Sequence, residues 1–200
     1  DVNNDGYVDI IEASRTSQNY IYFNNSKGVF IDETPFGDEK EATISIAARD
    51  INLDGHLDLI LANRNKQPNR IYYGPSFLSS SIFGSGNDET RQVAIGDMDG
   101  DGDPDIVAVN IGEKNKIIYN DGRGNFIKSV SFGSSSDRSM SIALGDLDGD
   151  GDLDIVTGNS GSKNHYYINN DSKFRLNHFS ENDKITYGIT LGDLNNDGTL

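Results

Sequence analysis

The chain has 200 residues, 34% of them apolar, with 22 glycines, no cysteine and a net charge of −15. That length sustains one sizeable core, and the lack of cysteine excludes a disulfide-stapled domain. No basic stripe is present to neutralise phosphates, which excludes nucleic acid as a partner, and no apolar run approaches the roughly 18 residues of a membrane span, so no membrane insertion is expected of this stretch.

In chain order, Asp1 to Asp9 is an acidic loop and Tyr7-Val-Asp-Ile-Ile is a strand. Ser14 to Gln18 turns, Asn19 to Asn24 is a second strand, and Asn25-Ser-Lys-Gly turns again. Val29 opens a third strand that Pro35-Phe36-Gly37 closes. After a charged loop from Asp38 to Glu41, Thr43 to Ala48 is a fourth strand that feeds a second acidic loop at Asp50. The order then repeats. Loops of the form D-x-D/N-x-D-G-x-x-D begin at Asp1, Asp50, Asp97 and Asp146, and a fifth begins at Asp193, with steps of 49, 47, 49 and 47 residues. A fixed period of that length decides the fold before any single residue does.

The loop chemistry is that of a hard cation. Oxygens at alternating positions converge on one point only if the chain curls, and the glycine at the sixth position makes the curl cheap. Ca²⁺ prefers about 6–8 oxygens at about 2.3–2.6 Å, whereas Mg²⁺ demands a tighter octahedron. Without cysteine, and with only three histidines, none at zinc-like spacing, nothing favours a softer metal. The candidate ligands are Asp1, Asn3, Asp5, Tyr7 and Asp9; Asp50, Asn52, Asp54, His56 and Asp58; Asp97, Asp99, Asp101, Asp103 and Asp105; Asp146, Asp148, Asp150, Asp152 and Asp154; and Asp193, Asn195 and Asp197. Tyr7, His56, Asp103 and Asp152 hold the seventh position, where the main-chain carbonyl is the donor and the ring of His56 faces solvent. Four complete cages and a truncated fifth are expected, with the third and fourth tightest because asparagine replaces a carboxylate in the first two. Leaving aside the seventh position, half of the 32 acidic residues are ligand carboxylates of these loops, so the charge is largely a metal-site signature.

An EF-hand would need glutamate at the twelfth position and flanking helices. The twelfth residues are Glu12, Leu61, Ala108 and Thr157, and the flanks are short β segments, so each loop joins two strands. Adjacent apolar residues after each loop (Ile10-Ile11, Leu59-Ile60, Ile106-Val107, Ile155-Val156) imply burial on both faces. Four-stranded sheets stacked round an axis satisfy that pattern, and a two-sheet sandwich, with one buried face per sheet, does not. The expected fold is all-β: a β-propeller of four-stranded antiparallel blades, with repeats at about 1–49, 50–96, 97–145 and 146–192 and the start of another at 193–200.

The Phe-Gly pairs at 36–37, 83–84 and 132–133, each followed one strand later by the acidic loop, resemble FG-GAP/VCBS repeats, the calcium-binding blades of integrin α-subunits and many bacterial surface proteins. The resemblance covers the whole chain. It implies calcium loops on one face, between the first and second strands of each blade, and a protein or glycan ligand on the opposite face. That face would carry the loops near 14–18, 63–68, 110–114 and 159–163, with those near 37–42, 84–90, 133–138 and 180–185. The family usually closes with seven blades, so the remaining blades of a longer chain are expected, although residues 186–192 could complete the first blade of a four-bladed ring.

The expected function is therefore a calcium-stabilised extracellular or cell-surface scaffold for adhesion or recognition. A non-catalytic part of a carbohydrate-active enzyme such as a polysaccharide lyase, or a structural module of a surface layer or filament, are the alternatives. His56, His165 and His178 have no acid–base or nucleophile partner in sequence, so no catalytic residue is assigned and no cofactor other than Ca²⁺ is expected. Arg15, Arg64, Lys66, Lys114 and Lys163, with Asp38, Glu39, Asp88 and Glu181, read as a mixed polar surface.

Overall fold

A computed structural model describes residues 1–126 and 128–200, with the side chains of all of these except Ile31 and Asp32. Every regular element among them is a β-strand. The first sheet is β1 (Ile10–Glu12), β2 (Asn19–Asn24) and β3 (Phe30–Phe36). The second is β4 (Thr43–Arg49), β5 (Asp58–Asn63), β6 (Asn69–Tyr72) and β7 (Ser80–Phe83). The third is β8 (Thr90–Gly96), β9 (Asp105–Asn110), β10 (Asn115–Tyr119) and β11 (Lys128–Phe132). The fourth is β12 (Ser139–Gly145), β13 (Asp154–Ser162), β14 (His165–Asn170) and β15 (Lys173–His178), with a short β16 (Lys184–Ile185) pairing with the far end of β13. Each sheet is an antiparallel meander in sequence order, and β4, β8 and β12 are the edge strands that pack side by side. These are propeller-like blades arranged as an open arc.

The second strands sit deepest. β5 and β9 are buried at every residue, as are the first six residues of β13. Two-sided burial follows where a blade has neighbours, and three cores fill the spaces between blades; the expectation fails for Ile10-Ile11, since β1 has no preceding blade against it and Ile10 is 48% exposed. Ile21, Phe36, Leu59, Leu61 and Tyr72 join the first blade to the second. Ile60, Ala62, Ile71, Val93 and Ile106 join the second to the third, and Val107, Val109, Ile117, Ile142 and Ile155 join the third to the fourth. Each fully buried aliphatic side chain contributes about 1.5–3 kcal/mol relative to exposure. Glycine before the third and fourth loops has a packing cause: a Cβ on Gly96 would collide with Leu144 and Leu153 of the next blade.

Two expectations are corrected. The strand expected from Tyr7 begins only at Ile10. In the other blades the second strand starts at the loop's last aspartate because Arg49, Gly96 or Gly145 pairs with it, and the first blade has no leading strand to supply that partner. Residues 186–192 do not complete the first blade. They lie on the fourth, where the Ile189 N–H donates to Ser141 Oγ as the Ile142 N–H donates to Gln92 Oε1 one blade earlier. Leu191 and Leu200 stand against Gly145 as Leu144 and Leu153 stand against Gly96. The segment thus occupies the place of a following inner strand, beside an apolar cleft of about 500 Å³ lined by Val156, Tyr166, Ile189 and Leu191.

Candidate metal centres

The loops at Asp50, Asp97 and Asp146 each link the inner strand of a blade to its second strand, and the loop at Asp1 leads into β1, which places them at one end of the arc. The last aspartate of the loop anchors it. Asp105 accepts from the Met98 and Asn120 N–H groups, Asp154 from Leu147 and Asn169, Asp58 from Ile51 and Gly74, and Asp9 from Val2 and Asn24, all at 2.7–3.1 Å. Both oxygens are held by backbone donors from two different turns, so this residue fixes the loop to the sheet whether or not a cation is present. Asp58, Asp105 and Asp154 have no solvent exposure. Burial pushes the carboxyl of Asp105 up to about 6, and raises those of Asp58 and Asp154 in the same direction.

The rest of the loop comes in two forms. In the first, second and fifth loops the third position is asparagine, and its amide donates to the fifth-position aspartate: Asn3 to Asp5 at 2.9 Å, Asn52 to Asp54 at 3.1 Å, Asn195 to Asp197 at 2.7 Å. The first aspartate (Asp1, Asp50 or Asp193) then accepts the N–H groups of the fifth and sixth residues. The fourth residue takes a left-handed conformation despite carrying a side chain, with φ of 59° at Asn4, 58° at Leu53 and 57° at Asn196. In the third and fourth loops that residue is Gly100 or Gly149, and its N–H bonds the first aspartate, Asp97 or Asp146. The third position is Asp99 or Asp148, and no amide neutralises it.

The consequence is local crowding of charge. Oxygens of Asp97, Asp99 and Asp105 lie within 4.8 Å of one another, and so do those of Asp146, Asp148 and Asp154. Among the described residues no other His, Asp or Glu triplet converges in this way. Burial, with Asp101 and Asp97 nearby, raises the carboxyl of Asp99. Asp101 and Asp150 stand beside these clusters and accept the N–H groups of Asp103 and Asp152. The seventh-position side chains point elsewhere. Asp103 lies against Gly122, Asp152 accepts the Asp171 N–H, and the ring of Tyr7 is 44% exposed. His56 departs from expectation: it is half-buried, with Nδ1 3.3 Å from the Asn4 amide of the neighbouring loop. Three hard anionic donors around one point match the oxygen preference of Ca²⁺, so the third and fourth loops fit the ion.

At the opposite end the structure shows a repeated buried relay that the sequence does not announce. Asn19 donates to Thr43, which donates to Asn63; Asn69, Thr90 and Asn110 repeat the chain, as do Asn115, Ser139 and Asn159. Asn164 and Thr186 begin a further copy at 3.0 Å. Each relay ties one blade to the next. Beside it, the connector acid that follows the Phe-Gly turn meets a base on the third strand of the following blade: Glu41 with Arg70 at 3.1 Å, Asp88 with Lys116 at 2.7 Å, Asp137 with His165 at 3.5 Å. His165 is therefore one member of a structural column, and burial lowers its pKa. These acids are buried, although the sequence reads Asp88 as part of a polar surface.

A family model described as FG-GAP-like repeat matches four times, over residues 1–61, 50–108, 97–157 and 147–200. Comparison with curated proteins returns no relative. Among solved structures, the chain is similar to BBS1N in a crystal structure of its complex with ARL6DN (TM-score 0.61, 13% identity, 90% of this chain and 56% of that one). It is also similar to the V. cholerae biofilm matrix protein Bap1 (TM-score 0.52, 19% identity, 86% of this chain and 28% of that one). The chain thus spans about half or less of the length of these structures, and at such identities the likeness is one of fold.

Proposed function

The chain belongs to the FG-GAP-like repeat family, and from that premise we propose that it is a calcium-stabilised extracellular β-propeller scaffold for adhesion or recognition. The carrying observation is the pair of three-carboxylate clusters, repeated in the same place on successive blades. When empty, such a cluster repels itself; a bound Ca²⁺ holds Asp97, Asp99 and Asp105, or their counterparts, and ties the turn to two strands and to the next blade. The tie is direct, because Asn120 donates to the Ile51 carbonyl of the preceding loop and Asn169 to that of Met98. The ligand, a protein or a glycan, meets the face opposite these loops, where the connectors carry polar and charged side chains.

Thermal unfolding in EGTA, in millimolar Mg²⁺ and across a Ca²⁺ titration tests this reading. A large rise in melting temperature specific to Ca²⁺ is expected. Identical curves in all three conditions would leave the loops as turns and remove the basis for the calcium and extracellular assignments.

A further inference from the structure

At the face away from the acidic loops, the connectors bring four arginines to the ends of the inner strands. Arg15 follows Ser14, whose carbonyl accepts the Thr43 N–H at the start of β4. The Arg64 N–H donates to the Ala42 carbonyl just before β4. Arg91 is the bulged residue of β8, between Thr90 and Gln92, and a bulge re-aims a side chain out of the ladder. Arg138 precedes β12, accepts the Ser160 N–H on its carbonyl, and bridges to Ile111. These residues come from four successive blades.

We propose that Arg15, Arg64, Arg91 and Arg138 form an anion site that takes the carboxylate or sulfate groups of an acidic polysaccharide. Among the described residues none of the four forms an ion pair; the pairs present use Arg70, Lys116 and His165. Arg64 Nε and Arg91 Nε are buried with no hydrogen-bond partner. A buried donor without an acceptor is unfavourable, more so when charged, and an incoming anion supplies the acceptor. Burial, with the charges of Arg64, Arg15 and Arg138, lowers the pKa of Arg91, and the Glu89 carboxylate acts the other way. Glu89 is itself engaged, since its Oε1 accepts the Lys66 N–H.

Most of the acidic residues lie in the acidic loops, and of those in the connectors Glu41, Asp88 and Asp137 face Arg70, Lys116 and His165. The acidic loops lie at the far end of inner strands of seven residues, about 23 Å away at about 3.3 Å per residue. That is more than two Debye lengths of about 8 Å at physiological ionic strength. A protein ligand is disfavoured because stable protein interfaces centre on apolar and aromatic anchors. Among the described residues, none of the exposed large hydrophobic side chains lies in the connectors 13–18, 37–42, 64–68, 84–89, 111–114 or 133–138, and those at this end, Phe179 and Ile185, belong to the outer connector of the fourth blade. A chain of sugars bearing repeated anions needs guanidinium forks and no such anchor.

The inference rests on the reading that this face meets ligands, and it is tested apart from calcium. The whole chain, in Ca²⁺, is titrated calorimetrically with a sulfated hexasaccharide and a uronate hexasaccharide, then with maltohexaose, an acidic peptide and a short DNA duplex. One of the acidic hexasaccharides is expected to bind, less tightly as salt rises, and roughly tenfold or more weakly in Arg64→Gln and Arg91→Gln. Arg15→Gln and Arg138→Gln, at exposed positions, carry the same expectation should the buried arginines prove necessary for folding. Lys27→Gln, in a turn at the acidic-loop end, is expected to bind as the parent does. No binding of either acidic hexasaccharide at millimolar concentration, binding indifferent to all four arginines, or tighter arginine-dependent binding of the peptide or the DNA would overturn the proposal. A protein that melts higher in Ca²⁺ yet ignores every anion overturns it while leaving the calcium reading intact.

Discussion

The loops at Asp1 and Asp50 and those at Asp97 and Asp146 share one frame but solve the same electrostatic problem differently. In the first pair an asparagine amide donates into the fifth-position aspartate at 2.9 and 3.1 Å, so the loop is held by its own hydrogen bonds. In the second pair an aspartate replaces that amide, glycine takes the left-handed position, and three carboxylates crowd within 4.8 Å. Two substitutions, at the third and fourth positions, therefore separate a self-satisfied turn from a turn that needs a cation. Dependence on calcium should be concentrated in the third and fourth blades.

The largest expected effect breaks that concentration. A site filled at about a hundred times its dissociation constant stabilises by about 2.7 kcal/mol, which is roughly 5–10 °C for a chain of this size. Asp97→Asn and Asp146→Asn should each remove a shift of that order from the Ca²⁺-dependent rise in melting temperature, and the double variant most of it. Asp1→Asn should remove little, and an equal loss there would contradict the distinction between loops.

Next in size is Asp105→Asn, measured in EGTA by denaturant unfolding. An amide cannot accept from both the Met98 and Asn120 N–H groups as the carboxylate does, so one buried donor is orphaned at about 1–3 kcal/mol. The loss should appear without calcium, because the anchor acts before any ion binds. Thr90→Val orphans Asn69 and Asn110 in the relay and should cost a similar amount. Its cost should be the same with and without Ca²⁺, since the relay lies at the other end of the blade.

A pH series sharpens the comparison further. The carboxyl of Asp105 is raised to about 6 by burial, from an ordinary value near 3.8. A group raised on folding contributes stability below its unfolded value and loses it as pH climbs through the folded one. The calcium-free protein should therefore lose on the order of 2 kcal/mol between about pH 4 and pH 6 through this residue. With Ca²⁺ saturating, the ionised form is the one bound, and the decline should flatten or reverse. The smallest effect expected is a gain: Asn52→Asp with Leu53→Gly gives the second loop the features of the third. It should add a weak calcium-dependent rise of a few degrees, beside a calcium-independent gain from relieving the left-handed Leu53 at φ 58°.

Much of this was legible from the chain because a period repeats its own evidence. In the second to fourth blades the position of the loop between two strands and the doubly buried second strand follow from columns that recur, as do the crowded aspartates of the third and fourth; the exposed Ile10 of the first blade does not follow, because burial there depends on a neighbour and not on the column. The relay did not show itself. Asn19, Asn69, Asn115 and Asn164 are visible as strand openers, but Thr43, Thr90 and Ser139 are single small polar residues of a kind common in strands. Their partners lie 21–24 residues away and meet only after blades stack. His56 was read as solvent-facing because sequence does not tell how closely neighbouring loops approach. Arg15 and Arg64 share a column and could be noticed together. Arg91 joins them through a bulge, and Arg138 through the packing of the next blade, neither of which a periodic pattern encodes.

The most direct test is to count calcium by isothermal titration of the intact chain from an EGTA-stripped state. Two tighter sites should fill before any others, one lost in Asp97→Asn and the other in Asp146→Asn. Equal filling of all loops, or no binding heat at millimolar Ca²⁺, would contradict the claim that these two clusters are the cation cages of the fold.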